Sequence, residues 1–99
     1  MEQWTREQFE EKVKTEEQAL FYLYTPFCGT CQVASKMMHV IEAMKKELPI
    51  GTADLNYLED VAVDYKIESV PCLLIAEKGR IKEKIYTFHS VPHLLEKIG

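Results

Sequence analysis

Two cysteines three positions apart, Cys28 and Cys31, are the residues of this sequence best placed to do chemistry. They stand at a junction, because the chain before them is apolar and aromatic and the chain after them has the spacing of a helix. Two thiols at such a position can bind a metal ion, pack as buried core residues, or form and break a disulfide.

A structural zinc site needs four ligands, commonly two pairs of Cys or His residues. No second C-x-x-C pair is present, and the remaining candidates are Cys72, His39, His89 and His93. We therefore predict that no metal is bound, with structural zinc and a buried pair of thiols as the alternatives to a redox pair. Cys72 itself lies on an apolar run and is predicted to be a core thiol.

The position of Cys28 favours redox chemistry. A predicted strand ends at residues 25–27, which puts Cys28 at the cap or in the first turn of the following helix. There the unpaired backbone N–H groups and the positive end of the helix dipole stabilise a thiolate. Cys31, one turn further on, can close a small disulfide ring, so Cys28 can attack and Cys31 can resolve. Gly29 permits the close approach of a partner backbone, and the small polar Thr30 keeps the loop accessible.

The composition is that of one ordinary globular domain, residues 1–99, of which 46% are hydrophobic. Twelve Lys and Arg among sixteen Asp and Glu give a net charge of -4, which argues against a nucleic-acid or membrane-surface partner. The first residues are charged and lack the apolar segment of a signal peptide, and no run has membrane-spanning length. We therefore expect a cytoplasmic protein, in a compartment that keeps thiols reduced.

The apolar pattern predicts alternating helices and strands. Thr5 and Gln8 match a capping box before a first helix, and Ser90 can cap a last one. Strands are predicted over residues 19–24, 50–55, 72–76 and 80–88, and those over 19–24 and 72–76 are expected to be buried. Further helices are predicted from Cys28 onward and over residues 57–65. We expect an α/β fold whose mixed sheet has about four strands, with a parallel pair and a closing hairpin, flanked by helices.

The helix after Cys28 shows the clearest periodicity, with apolar residues every three or four positions. The stripe predicted to face the core consists of Val33, Met37, Ile41, Met44 and Leu48. Pro49 should end this helix, because proline cannot donate the backbone hydrogen bond that would continue it.

The sequence resembles the thioredoxin family over nearly its whole length. The resemblance rests on "FCGTC" at the junction, "DLN" after the second strand, "YKIESVPCLLI", and "EKGRI" in the last hairpin. A C-G-x-C motif alone is only moderately specific, but together with V-P-C-L-L-I and the K-G turn it forms a strong pattern. The resemblance implies a thioredoxin fold, here with a short or missing first strand.

The resemblance also implies the chemistry and the site. Cys28 would be the nucleophile and Cys31 the resolving thiol, and the two would exchange disulfides with substrates through a mixed disulfide. Pro71 would be a cis proline beside the cysteines, with the Val70 backbone pairing with the substrate chain. The substrate contacts implied are Phe27, Gly29, Thr30, Val70 and Pro71.

The implied function is the reduction of disulfides in protein substrates, as part of cell redox homeostasis. The protein would be a monomer with no bound cofactor, and electrons would come from a separate NADPH-dependent flavoprotein of the thioredoxin-reductase type. Two alternatives remain. One is an exchanger that serves a single client, and the other is a binding module that keeps the fold while its cysteines rarely turn over.

The sequence departs from the usual family pattern at several positions. Phe27 replaces a tryptophan, Thr30 a proline, and Thr87 a glycine near the end of the last strand. The largest departure is Tyr22, which stands where thioredoxins carry a buried aspartate thought to take the proton from the resolving cysteine. A phenol with an ordinary pKa near 10 cannot be that base at neutral pH, although it can fill space and donate one hydrogen bond. Asp54, on the next strand, is a conceivable substitute.

Overall fold

A mixed sheet of five strands forms the centre of the computed structural model, which describes residues 1–99. The strands are β1 (Glu2–Gln3), β2 (Gln18–Tyr24), β3 (Ile50–Asp54), β4 (Cys72–Glu77) and β5 (Arg80–Ile85). They lie in the order β1-β3-β2-β4-β5, with β1, β3 and β2 parallel and β4 and β5 antiparallel to their neighbours. The α/β class and the mixed sheet are confirmed. The fifth strand is the short first strand, whose two residues are too few to leave an apolar pattern.

Four helices flank the sheet: α1 (Arg6–Thr15), α2 (Gly29–Met44), α3 (Glu59–Asp64) and α4 (Val91–Ile98). The predicted capping box is present, since the Thr5 hydroxyl accepts the Gln8 N–H and the Gln8 side chain accepts the Thr5 N–H. Ser90 caps α4 through the N–H of His93. None of these helices is both long and apolar enough to cross a membrane.

The core consists of two apolar clusters, one on each face of the sheet. Alternate residues of β2 divide between them, with Leu20 and Tyr22 beneath α2 and α4 and Phe21 beneath α1. The ring of Phe9 stacks on that of Phe21 at 4.6 Å between centroids. Trp4 packs so closely over Gly51 that a Cβ there would lie 1.9 Å from its ring, so only glycine fits at that position of β3.

The predicted core face of α2 is only partly right: Ile41 is buried, and Met37 and Leu48 pack partly buried against the core, but the other two residues of the stripe do not. The buried residues of α2 are Cys31, Ala34, Met38 and Ile41. Val33 and Met44 are 56% and 60% exposed, and the helix ends at Met44, well before Pro49. The helix carries two adjacent apolar stripes, and the stripe that contains Cys31 faces the sheet because the active-site turn fixes the rotation of the helix at its start.

Two predicted boundaries also differ. The helix expected over residues 57–65 begins at Glu59, and the residues before it form a separate 3₁₀ turn, Leu55–Tyr57, capped by the side chain of Asp54. The last strand ends at Ile85 rather than at residue 88. Both errors fall where capping or backbone geometry ends an element while the apolar pattern continues.

Candidate active site

Cys28 is the N-cap of α2. Its backbone N–H donates to the Thr25 carbonyl at 3.3 Å and closes the turn between β2 and α2. Its Sγ accepts the N–H of Cys31 at 3.1 Å, the contact that a serine or aspartate oxygen makes at other helix starts. Negative charge on this sulfur is therefore stabilised by a backbone N–H and by the positive end of a 16-residue helix.

The two cysteines form a disulfide and differ in exposure. Their Cα atoms are 5.1 Å apart. Cys31 is 3% exposed, whereas Cys28 is partly open to solvent next to the fully exposed Phe27. The Thr30 hydroxyl lies 3.3 Å from the Cys28 Sγ, and a Cβ on Gly29 would meet nothing within 4 Å. The open side of the disulfide is therefore the Cys28 side.

A second segment reaches the same sulfur. The Val70 carbonyl oxygen lies 3.9 Å from the Cys28 Sγ, and the Val70–Pro71 peptide bond is cis. Pro71 is buried at the start of β4, and Val70 is partly exposed. The structure thus brings the C-G-T-C turn and the Val70–Pro71 segment together, although they lie some forty residues apart in the chain.

Tyr22 lies beneath the cysteine pair and is 1% exposed. Its hydroxyl donates to the Cys31 carbonyl at 2.9 Å and shares a hydrogen bond with the Ser35 hydroxyl at 3.0 Å. Burial raises the pKa of this phenol, and the bond with Ser35 only partly opposes the rise. Tyr22 is therefore neutral at physiological pH, and the predicted role of filling space and donating a hydrogen bond agrees with these contacts.

Asp54 is occupied elsewhere. Its carboxylate accepts the backbone N–H of Asn56 at 2.9 Å and caps the 3₁₀ turn after β3. No hydrogen bond joins it to Cys31, so its geometry assigns it a structural role at the end of β3.

Cys72 is a buried core thiol with no exposed surface. Burial raises its pKa to about 12, against the weaker opposing effects of Lys84 and Tyr86. A thiol that keeps its proton and has no access to solvent is chemically inert in the folded protein. His89 and His93 pack edge to face, with ring centroids 4.6 Å apart, and no group of three or more His, Cys, Asp or Glu residues could hold a metal ion.

The sequence patterns did not identify two residues that lie near the site, Lys84 and Tyr86 of the last hairpin. Both form hydrogen bonds with the loop that precedes Val70. The available signal was that they flank the buried Ile85, so their side chains should point to the side of the sheet opposite to that of Ile85. Alternation predicts the face but gives no indication of which loop that face meets.

Comparison with known proteins decides the family. The thioredoxin family model matches residues 1–98, which is nearly the whole chain. The chain belongs to the thioredoxin family. The thioredoxin-like protein YusE of Bacillus subtilis is 49% identical over 79 residues, covering 80% of this chain and 74% of that protein. A thioredoxin H-type of Fagopyrum esculentum is 29% identical over 73 residues, covering 74% of this chain and 62% of that protein.

Solved thioredoxin structures share the fold at low sequence identity. Mitochondrial thioredoxin 3 of Saccharomyces cerevisiae, in its oxidised form, has a TM-score of 0.87 at 16% identity, covering 99% of this chain and 92% of that chain. A mutant thioredoxin of Halobacterium salinarum has a TM-score of 0.86 at 17% identity, covering 99% of this chain and 86% of that chain. With the family match and the Cys28–Cys31 disulfide, this thioredoxin-family chain is a thiol–disulfide oxidoreductase.

Proposed function

We propose that this protein reduces protein disulfides, with Cys28 as the nucleophile and Cys31 as the resolving thiol. The observation that carries the proposal is the geometry of Cys28, a helix N-cap whose sulfur accepts the Cys31 N–H on the solvent side of the pair. The same N–H and helix end that hold the sulfur would lower the thiol pKa of reduced Cys28. Cys31 is buried and has no such cap.

The reaction transfers two electrons to the substrate in two exchanges. The Cys28 thiolate attacks one sulfur of the substrate disulfide, the substrate S–S bond breaks, and the departing sulfur takes a proton from solvent. Cys31 then loses its proton and attacks the Cys28 sulfur, which releases the second substrate thiol. The product on the enzyme is the Cys28–Cys31 disulfide, the oxidised state in the structure.

The proposed substrate surface surrounds the Cys28 sulfur. Phe27 offers a fully exposed aromatic face, and Gly29 and Thr30 leave the turn open to an approaching backbone. Val70 has its carbonyl oxygen 3.9 Å from the sulfur, so an extended substrate chain over Cys28 could form backbone hydrogen bonds with it. Pro71 has no N–H, so its backbone cannot compete with the substrate for hydrogen bonds at this point.

The remaining parts of the proposal concern the surroundings of the enzyme. The exchange needs only two sulfurs and a proton source, so we propose that no cofactor is bound and that the protein acts as a monomer. Reduction of the Cys28–Cys31 disulfide then needs a separate donor, for which we propose an NADPH-dependent flavoprotein reductase. A protein disulfide reductase works in a compartment that keeps thiols reduced, which supports a cytoplasmic location.

The test traps the mixed disulfide. Reduced Cys31→Ser protein, mixed with insulin as the disulfide substrate, should accumulate a covalent complex through Cys28 that dithiothreitol releases. Reduced Cys28→Ser protein is the matched control and should form none, because Cys31 is buried. The parent should reduce insulin over many cycles with dithiothreitol as the donor. A parent that binds insulin without turnover would support a binding module instead.

A further inference from the structure

Two side chains of the last hairpin, Lys84 in β5 and Tyr86 just after it, hold the loop that leads to Val70. The Lys84 Nζ donates to the carbonyl oxygens of Tyr65 and Lys66, both at 3.1 Å. The Tyr86 hydroxyl accepts the Glu68 N–H at 3.1 Å and donates to the Lys66 carbonyl at 3.4 Å. These four bonds satisfy backbone groups of residues 65–68, between the end of α3 and Val70.

The loop begins with a residue in an unfavourable conformation. Lys66 has a φ of 55°, in the left-handed region where glycine is preferred. Its N–H donates to the Val63 carbonyl and the Ile67 N–H donates to the Ala62 carbonyl, a pair of bonds that ends α3 in a Schellman motif. The Lys66 carbonyl, fixed by this geometry, is the group that both Lys84 and Tyr86 bind. A strained backbone persists when its surroundings fix it, and here the side chains of Lys84 and Tyr86 contribute to that.

Only Ser69, which is exposed, separates the anchored residues 65–68 from Val70. The Val70 carbonyl, 3.9 Å from the Cys28 sulfur, is therefore held from two sides, by the buried Pro71 that follows it and by the anchored residues 65–68 that precede it. An unanchored loop would let this carbonyl move relative to Cys28.

We propose that Tyr86 and Lys84 are positioning residues for protein substrates, because they fix residues 65–68 and thereby set the Val70 backbone that pairs with the substrate chain. This inference rests on the proposed function and goes beyond it by naming residues that distinguish protein disulfides from small ones. A small disulfide has no polypeptide backbone to pair with Val70 and needs only the two cysteines. The hydrogen bonds of Tyr86 and Lys84 with the loop do not involve the active-site cysteines Cys28 and Cys31.

The primary test is Tyr86→Phe, which keeps the ring and removes the hydroxyl. With insulin as the substrate, KM should rise about fivefold while kcat stays unchanged, since the loss of one or two hydrogen bonds loosens the pairing strand. With hydroxyethyl disulfide, the rate should not change. In the folded variant, hydrogen exchange at the Glu68 amide should become faster, because its N–H has lost its acceptor.

Lys84→Met is the second variant, and Lys82→Met, the same change at another lysine of β5, is its matched control. Lys82 pairs with Glu77 and is not one of the residues that form hydrogen bonds with the loop, so its replacement should leave the reduction of both substrates unchanged. Lys84→Met should repeat the selective rise in KM for insulin. Equal losses on both substrates, or no loss on insulin, would overturn the inference. A parent that reduced neither substrate would instead contradict the proposed function.

Discussion

At the scale of single residues, Tyr22 is the side chain that we expect to influence the resolving step. The hydroxyl of Tyr22 donates to the Cys31 carbonyl and contacts Ser35, which ties the first turn of α2 to β2. Burial raises its pKa, so it neither carries charge near Cys31 nor accepts its proton at pH 7. Asp54, the other candidate base, is engaged with the N–H of Asn56. We therefore expect the proton of Cys31 to leave mainly to water.

This predicts that the resolving step is slow at pH 7 and accelerates as pH rises toward the pKa of Cys31. Each pH unit should raise the rate about tenfold while the thiolate is the minor form. Single-turnover kinetics with a chromogenic disulfide would separate attack from resolution. Tyr22→Asp should speed resolution near neutrality and lower the free energy of unfolding by about 3 kcal/mol, because a packed ring is exchanged for a poorly solvated carboxyl.

Tyr22→Phe is the control for that prediction. It keeps the ring, supplies no base, and should retain the steep pH dependence of the parent. A resolving rate in the parent that is already fast and flat between pH 6 and about 9 would show that another base acts on Cys31.

At the scale of elements, α2 shows why its rotation could not be predicted. Its apolar residues fall in two adjacent stripes, and periodicity alone does not say which one faces the sheet. The stripe with Cys31, Ala34 and Met38 is buried, while Val33 and Met44 on the other stripe are exposed. The deciding constraint is the turn that makes Cys28 the cap, and that constraint is geometric rather than compositional.

Two methionines of α2 test this assignment. Met38→Ala should lower the free energy of unfolding by about 2–5 kcal/mol, because Met38 is fully buried and its loss leaves a cavity. Met44→Ala, the same change on the same helix, should cost less than about 0.5 kcal/mol, because Met44 is 60% exposed. Urea unfolding of both variants provides the comparison. Similar losses for the two, or a larger loss for Met44, would mean that the helix is rotated.

The features that could be predicted from sequence are those that local chemistry determines. Thr5 with Gln8, and Ser90, cap helices through hydrogen bonds to residues only three positions away. The C-G-T-C turn likewise places the Cys28 thiol at the start of a helix, whichever side of that helix packs against the sheet. The contacts of Lys84 and Tyr86 with residues 65–68 could not be predicted, because they join segments about twenty residues apart whose meeting depends on the whole sheet.

At the scale of the whole molecule, two weakly acidic groups, the Cys72 thiol and the Tyr65 phenol, lose contact with water on folding. Both lie on the same face of the sheet. Cys72 belongs to the cluster beneath α1 and α3, and Tyr65 packs against it. Burial raises the pKa of Cys72 to about 12. Burial also raises that of Tyr65 to about 12, with a further contribution from its hydrogen bond to Glu10. In the unfolded chain both groups return to ordinary values, near 8.5 and 10.

The free energy of unfolding should therefore fall as pH rises above about 9. A group whose pKa is higher in the folded protein stabilises it fully below the unfolded pKa, and this contribution is lost as pH rises toward the folded value. Between about pH 9 and 12 the slope due to Cys72 should approach 1.4 kcal/mol per pH unit. The contribution of Tyr65 is smaller than its shift suggests, because its side chain is partly exposed and solvent screens it.

Cys72→Ala isolates the larger contribution. The oxidised protein is the right background, because Cys28 and Cys31 do not titrate while they are joined. The variant should be less stable at pH 7 through the lost packing, but its stability should decline less steeply with pH, since no buried thiol remains to ionise. Urea unfolding at each pH measures how the free energy of unfolding changes with pH. An unaltered slope in Cys72→Ala would show that the Cys72 thiol is not the group responsible for the loss of stability at alkaline pH.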